Sequence, residues 1–362
     1  MIINESVLKS GERVAFGLRD LYSAYGYTQY KMSKFEEYDL YAGNKDFLVS
    51  DNVITFTDTN GKLMALKPDV TLSIVKHAKD TVGLHKVYYD ENVYRISGSS
   101  RSYREIMQVG LECIGHIDDC AVAEVLMLAA QSLSRISSDY VLDISQLDVV
   151  SAVIDSLGVD AQTRAALLKA VGEKNLHTIR RLCENGETLC RLVDLQGAPE
   201  RVLPVLREML TDPVALEAVE RLSRTVKALQ ACGYGERVRI DFSVVDDMNY
   251  YNGIVFKGFV NGVPEAVLSG GRYDKLMCKM GKRAGAIGFA VYLDLLERLE
   301  ESTVVLDADV LVEYENDVAP EQLLKTVNEL VRSGARVTAR RAGEAEGLRY
   351  GRRINLTAKG EC

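Results

Sequence analysis

Four histidines without ligand-like spacing, and seven cysteines without a single C-x-x-C pair, leave this 362-residue chain without the pattern of a zinc site. No apolar run approaches the roughly 20 residues that cross a bilayer, which excludes a membrane-spanning helix. No free-standing basic block is present, the net charge is −8 and the sequence pI is about 5.3, so a broad nucleic-acid surface is not expected. The cysteines (Cys113, Cys120, Cys183, Cys190, Cys232, Cys278 and Cys362) are odd in number and no signal peptide precedes them, so reduced thiols in the cytoplasm are expected. The one basic cluster, Arg336, Arg340, Arg341, Arg349, Arg352 and Arg353, reads as a solvated C-terminal tail. What remains is 47% hydrophobic and 27% charged, an ordinary balance for a globular core. The length calls for a main domain with appended units.

Hydrophobic periodicity places a helix over Val14–Tyr25, ended by Gly26, and a strand over Tyr27–Phe35. Val53–Phe56 and Leu63–Leu66 flank Asp58-Thr59-Asn60-Gly61, a hairpin turn. A short helix is expected over Thr71–Ala78. Lys86–Arg95 and Glu105–Ile114 read as an antiparallel pair. From Asp119 to about Ala231 helical patterns dominate, with almost no strand signal. Strands are expected again at Val238–Val245, Ile254–Val260 and Ala266–Leu268, and a final helix over Phe289–Leu299. Beyond Glu301 the pattern is βαβ: Ala308–Tyr314, Pro320–Arg332 capped by Gly334, then Arg336–Ala339. Antiparallel strands interrupted by helices indicate an α+β fold with an insertion.

Four segments carry chemistry. In Lys67-Pro68-Asp69-Val70-Thr71, Asp69 and Thr71 stand at a strand-to-helix turn, where both could face a cavity or Asp69 could simply cap the helix. The second segment runs from Tyr94-Arg95 through Arg104-Glu105 to Glu112, and in it Gln108, Gly110 and Glu112 fall two apart and share one sheet face. Glu112 can pair an ammonium, Gln108 can donate and accept, and Gly110 leaves room for a ligand. The third segment, 244–256, places Tyr250 and Tyr251 on a strand after two adjacent carboxylates, Asp246 and Asp247. In the fourth, Gly270-Gly271-Arg272-Tyr273-Asp274, the glycines allow a tight backbone near a ligand, and Arg272 offers a fork for a carboxylate.

In this order the segments resemble the class II histidyl-tRNA synthetase family over most of residues 7–299. Lys67–Thr71 is similar to its Arg-Pro-Glu-Gly-Thr signature, and Tyr94-Arg95 through Glu112 to the second class II motif. Tyr250-Tyr251 matches the histidine-binding run and Gly270–Asp274 the Gly-Gly-Arg-Tyr-Asp motif. The resemblance implies an antiparallel class II synthetase-like sheet flanked by helices over residues 1–300, with a helical insertion at about 119–231. Residues 301–362 look like a shortened anticodon-binding βαβ unit. It further implies a histidine pocket formed by Asp69, Thr71, Arg95, Gln108, Glu112, Tyr250, Tyr251, Gly270, Gly271, Arg272 and Tyr273. The carboxylates would hold the α-ammonium, with the tyrosines and Gln108 around the imidazole.

The chain also departs from that family. An arginine that supports adenylate formation is here Asp246, which would repel a triphosphate. The ATP-binding arginine closing the third motif is here Leu295, and the first motif's proline is Ser33. Losing two arginines from one phosphate site resembles the family's non-catalytic branch, the regulatory subunits of ATP phosphoribosyltransferase. That resemblance implies a short-form catalytic partner, a hetero-octamer, a homodimer through the class II interface, histidine feedback, and no cofactor, metal or aminoacylation. A histidyl-tRNA synthetase-like amino-acid sensor and a divergent synthetase are the competing readings.

Overall fold

A computed structural model describes residues 8–44, 53–78, 83–96, 102–245, 250–299, 306–358 and 360–361. The chain divides into two compact units, Met1–Leu299 and Glu300–Cys362.

In the first unit the strands are β1 (Thr28–Gln29), β2 (Phe35–Glu37), β3 (Thr55–Thr57), β4 (Leu63–Leu66), β5 (His85–Ile96), β6 (Tyr103–Gly115), β7 (Tyr140–Gln146), β8 (Gln196–Gly197), β9 (Val238–Asp241), β10 (Ile254–Val260), β11 (Leu268–Arg272) and β12 (Gly285–Tyr292). The helices are α1 (Ser10–Ala24), α2 (Tyr38–Ala42), α3 (Thr71–His77), α4 (Asp119–Ile136), α5 (Leu147–Asp155), α6 (Ala161–Gly172), α7 (Leu176–Leu182), α8 (Glu187–Asp194), α9 (Pro199–Met209), α10 (Pro213–Ala231) and α11 (Asp274–Lys279). Nine strands form one sheet in the order β1-β5-β6-β12-β11-β10-β7-β9-β8. It is antiparallel except at β1–β5 and β7–β9. A smaller sheet, β2-β4-β3, stands beside it.

Period-two alternation sorts the sheet's two faces. On β6, Val109, Leu111 and Cys113 join α1, α4 and the helical block in the main core, and Gln108, Gly110 and Glu112 point the other way. There Val87, Tyr89 and Val93 of β5 meet α3, α11 and the second core cluster around Tyr250 and Tyr273. The hairpin β3–β4, the helix α3 and the β5–β6 ladder stand as expected. α1 ends where Gly26 takes φ of 79°.

Four expectations change. The expected strand over Tyr27–Phe35 shrinks to the two residues of β1, with Phe35 opening β2. The helical block contains β7, a seven-residue strand paired between β10 and β9 and so integral to the main sheet. The block's helices share the main core with α4. The helix expected over Phe289–Leu299 begins as strand, since β12 runs to Tyr292, and only Leu293–Leu299 turns, as a 3-10 helix. A continuous apolar run buried in mid-sheet has no period to separate strand from helix. Likewise the strand expected over Ala266–Leu268 is displaced to Leu268–Arg272, so that Gly270 and Gly271 lie within β11.

One buried ion pair locks the entrance to α3. Lys67 is fully buried and its Nζ lies 2.8 Å from Glu91 Oε2 on β5. Removing one partner strands the other charge, although Glu91 keeps some contact with water. Lys67→Met is expected to cost about 2 kcal/mol, below the full penalty for a sealed pair. Urea unfolding monitored by circular dichroism checks this, and Lys67→Met with Glu91→Gln should recover part of the loss.

The second unit holds β13 (Ala308–Tyr314), α12 (Pro320–Arg332), β14 (Val337–Arg341), β15 (Tyr350–Thr357) and β16 (Gly360–Glu361). The expected βαβ piece is extended by two strands into a four-stranded sheet, β14-β13-β15-β16, over a small core of Val310, Val312 and Leu356. Its arginines are not a loose tail. Arg336 forks onto Asp309, with Nη2 2.8 Å from Oδ1, and Arg353 lies 3.2 Å from Glu313. Both pairs are exposed enough to contribute little to stability. No described helix is long and apolar enough to cross a membrane.

Candidate functional site

Pro68 breaks the chain after β4, and Asp69 turns it into α3. The Asp69 Oδ1 accepts from the Leu72 backbone N–H at 2.8 Å, a first-turn cap. Two residues on, Thr71 Oγ1 donates to Glu112 Oε1 at 2.8 Å. The other oxygen of Glu112 accepts from Tyr273 OH at 2.6 Å. Glu112 is only 2% exposed, and burial pushes its carboxyl up to about 8, even though both hydroxyl bonds and their donors favour the charged form. The negative charge of Asp69 adds to the rise. Asp69 is itself raised by burial, against the pull of the Leu72 N–H and the Arg95 guanidinium.

These groups line one cavity of about 500 Å³. Around Asp69, Thr71 and Glu112 stand Arg95, Gln108, Tyr250, Tyr251 and Tyr273, each expected from the sequence. Tyr250 and Tyr251 do not alternate across a strand, because β10 starts only at Ile254. Both face the cavity, with rings crossed at 4.5 Å, and Tyr250 sits 5.7 Å from Tyr273. Arg95 is tethered by a 3.0 Å bond from its Nε to the Pro68 carbonyl. The result is an acid-bearing floor with aromatic walls, a shape suited to a small ligand with a cationic end and a flat or apolar one.

Four expected residues do something else. Gly110 makes room for protein and not for ligand, since a Cβ there would lie 2.4 Å from Tyr89 OH and 2.3 Å from the Phe289 carbonyl. Gly271 yields to the Tyr251 ring at 2.7 Å, and Gly270 to Phe289 and Phe256. Arg272 leaves the cavity altogether. Its Nε donates to Asp274 Oδ2 at 2.7 Å, and it lines a separate cleft. The residues 246–249, with Asp246, Asp247 and Asn249, lie outside the described residues. Leu295 is half-buried and packs against the main core.

Sequence reasoning passed over Tyr89, Lys257, Ser269, Gly288 and Tyr292, which also line the cavity. Tyr89 was visible as the face-mate of Val87 and Val93, and Tyr292 was hidden by the helix expected over Phe289–Leu299. No group of three or more His, Cys, Asp or Glu able to hold a metal occurs among the described residues.

The family model described as histidyl-tRNA synthetase matches residues 4–296. A protein of Alkaliphilus metalliredigens named ATP phosphoribosyltransferase regulatory subunit is 28% identical over 75% of this chain and 72% of its own. A Bacillus halodurans crystal structure described as an ATP phosphoribosyltransferase regulatory subunit/histidyl-tRNA synthetase superposes with a TM-score of 0.78 at 22% identity, covering 99% of this chain and all of its own. A chain of the Thermotoga maritima ATP phosphoribosyl transferase (HisG:HisZ) complex gives 0.63 at 19% identity, over 78% of this chain and 97% of its own. The last two likenesses speak to the fold.

Proposed function

Because this chain belongs to the histidyl-tRNA synthetase family, we propose that it is a member that has kept the amino-acid cavity, given up ATP chemistry, and serves as the regulatory subunit of a short-form ATP phosphoribosyltransferase. One observation carries the reading. A carboxylate- and tyrosine-lined cavity persists in a sequence that has Asp246 and Leu295 at the positions where the resemblance puts the family's two phosphate-site arginines. The Leu295 side chain has no donor for a phosphate and packs against the core. The names borne by the relatives support the same assignment.

In this reading free histidine enters the cavity of about 500 Å³. Its ammonium lies between Glu112 and Asp69, Arg95 takes the carboxylate, and Gln108 and the tyrosines surround the imidazole. Binding alone regulates nothing. Histidine must favour one of two states of an assembly with the catalytic subunit, a homodimer-based hetero-octamer, by its difference in affinity for them.

The deciding measurement mixes the purified chain with a short-form catalytic subunit and follows phosphoribosyl transfer with and without histidine. Turnover is expected to rise on mixing and fall again with histidine. Failure of the two proteins to associate overturns the regulatory assignment. Histidine-dependent ATP–pyrophosphate exchange by the chain alone overturns the loss of ATP chemistry and favours a divergent synthetase.

A further inference from the structure

A second cleft, of about 270 Å³, opens where the end of β7, the start of β10 and the end of β11 meet α4, α5 and α10. It shares no lining residue with the first cavity. Its floor carries two buried acceptors that have no hydrogen-bond partner among the described residues, Gln146 Oε1 and Asn252 Oδ1. Gln146 is only 5% exposed. Asn252 spends its Nδ2 on Asp274 Oδ2 at 3.2 Å, which fixes its oxygen as the atom left over. Leaving a buried acceptor unmatched carries its full desolvation penalty, so two around one cleft call for a donor.

The cleft's own cations are already paired, each with a lining carboxylate. Arg221 Nη2 lies 3.0 Å from Asp148 Oδ2 and Arg272 Nε 2.7 Å from Asp274 Oδ2. Of the lining carboxylates, Asp148 and Asp274 are paired within the cleft and Asp119 is met by Arg224 from outside the lining at 2.7 Å, so the charges balance. Gly253, at φ of 66°, leaves the floor uncovered, for a Cβ there would stand 3.7 Å from Gln146 Oε1 and 3.9 Å from Asp148 Oδ2. Two amide oxygens that can only accept, beside the Asp148 carboxylate, select a ligand that donates, and a primary ammonium with its three N–H groups can meet all three. Val122, Leu222 and Ile254 supply an apolar side for a short carbon chain.

We infer that this cleft is a second binding site, taking a small solute through a primary ammonium group held by Gln146, Asn252 and Asp148. The inference does not rest on the function proposed for the first cavity.

The test uses the full chain carrying Asp69→Asn and Glu112→Gln, which removes both carboxylates of the first cavity, with methylammonium, glycine and acetate as probes in ligand-observed NMR titrations. Methylammonium and glycine are expected to bind saturably and acetate not at all. Tighter binding of glycine than of methylammonium would add a carboxylate contact at Arg272 to the same site. Gln146→Leu should weaken both amines at least about tenfold, the usual scale for losing a hydrogen bond to a charged group. Gln146→Glu keeps the shape, adds charge and should tighten them, so a variant that folds remains if the leucine does not. The site is refuted if neither amine saturates, if acetate binds as well as they do, or if both Gln146 variants titrate like the parent.

Discussion

Glu112→Gln is expected to abolish histidine binding, at least about 100-fold, while making the protein more stable above neutral pH. The glutamine keeps the size of the side chain and can still accept from Tyr273 OH and meet Thr71 Oγ1. What disappears is the charge that an ammonium needs. Stability moves the opposite way because burial raises the folded-state carboxyl to about 8. A raised acid means the folded protein holds the proton more tightly than the unfolded chain does. The penalty is absent below the ordinary carboxyl range and grows by up to about 1.4 kcal/mol per pH unit until the pH passes the folded value. The melting temperature of Glu112→Gln should therefore pull ahead of the parent's as pH climbs from about 5 to 8. For the parent, binding a cation must expel that same proton. Histidine affinity should rise between about pH 6 and 8, by at most tenfold per unit, with proton release seen as a buffer-dependent calorimetric heat. A flat profile in the parent, or full-strength binding by the variant, would show that Glu112 does not face the ligand's ammonium.

The chemistry of the cavity was legible wherever it followed a local rule. Gln108 and Glu112 fall on one face because strand side chains alternate. Asp69 and Thr71 were visible as a turn before a helix, with the capping and cavity-facing roles both present in the same short segment. Illegible features depended on neighbours distant in sequence. Gly-Gly-Arg reads locally as backbone opened for a ligand, yet Gly270 and Gly271 lie inside β11, where Phe256, Phe289 and Tyr251 occupy the space their side chains would fill. Once that segment is a strand, Arg272 and Tyr273 part company, and only Tyr273 reaches Glu112. In β7, Tyr140–Gln146 was submerged in helical surroundings, although its strand identity comes from pairing with β10 more than 100 residues later. The run Gly285–Tyr292 has apolar residues on both faces, so neither period stands out.

That same misread run yields the sharpest steric expectation. Gly288 pairs with Glu112 across the β12–β6 ladder and with Gly271 on the other side. A Cβ at Gly288 would lie 1.7 Å from Glu112 Oε2 and 2.4 Å from the Leu111 carbonyl oxygen. The carboxylate could swing aside only by leaving Tyr273 and Thr71, and the carbonyl is backbone, held in the sheet. Gly288→Ala is therefore expected to cost at least about 3 kcal/mol, at the upper end of overpacking penalties, and to remove histidine binding from whatever still folds. Glu112→Ala in the same chain relieves the first clash and leaves the second. A double-mutant cycle in urea should consequently show favourable coupling that recovers only part of the loss. If Gly288→Ala melts like the parent and binds histidine normally, then Glu112 does not sit over Gly288, and the floor of the cavity must be built from other groups.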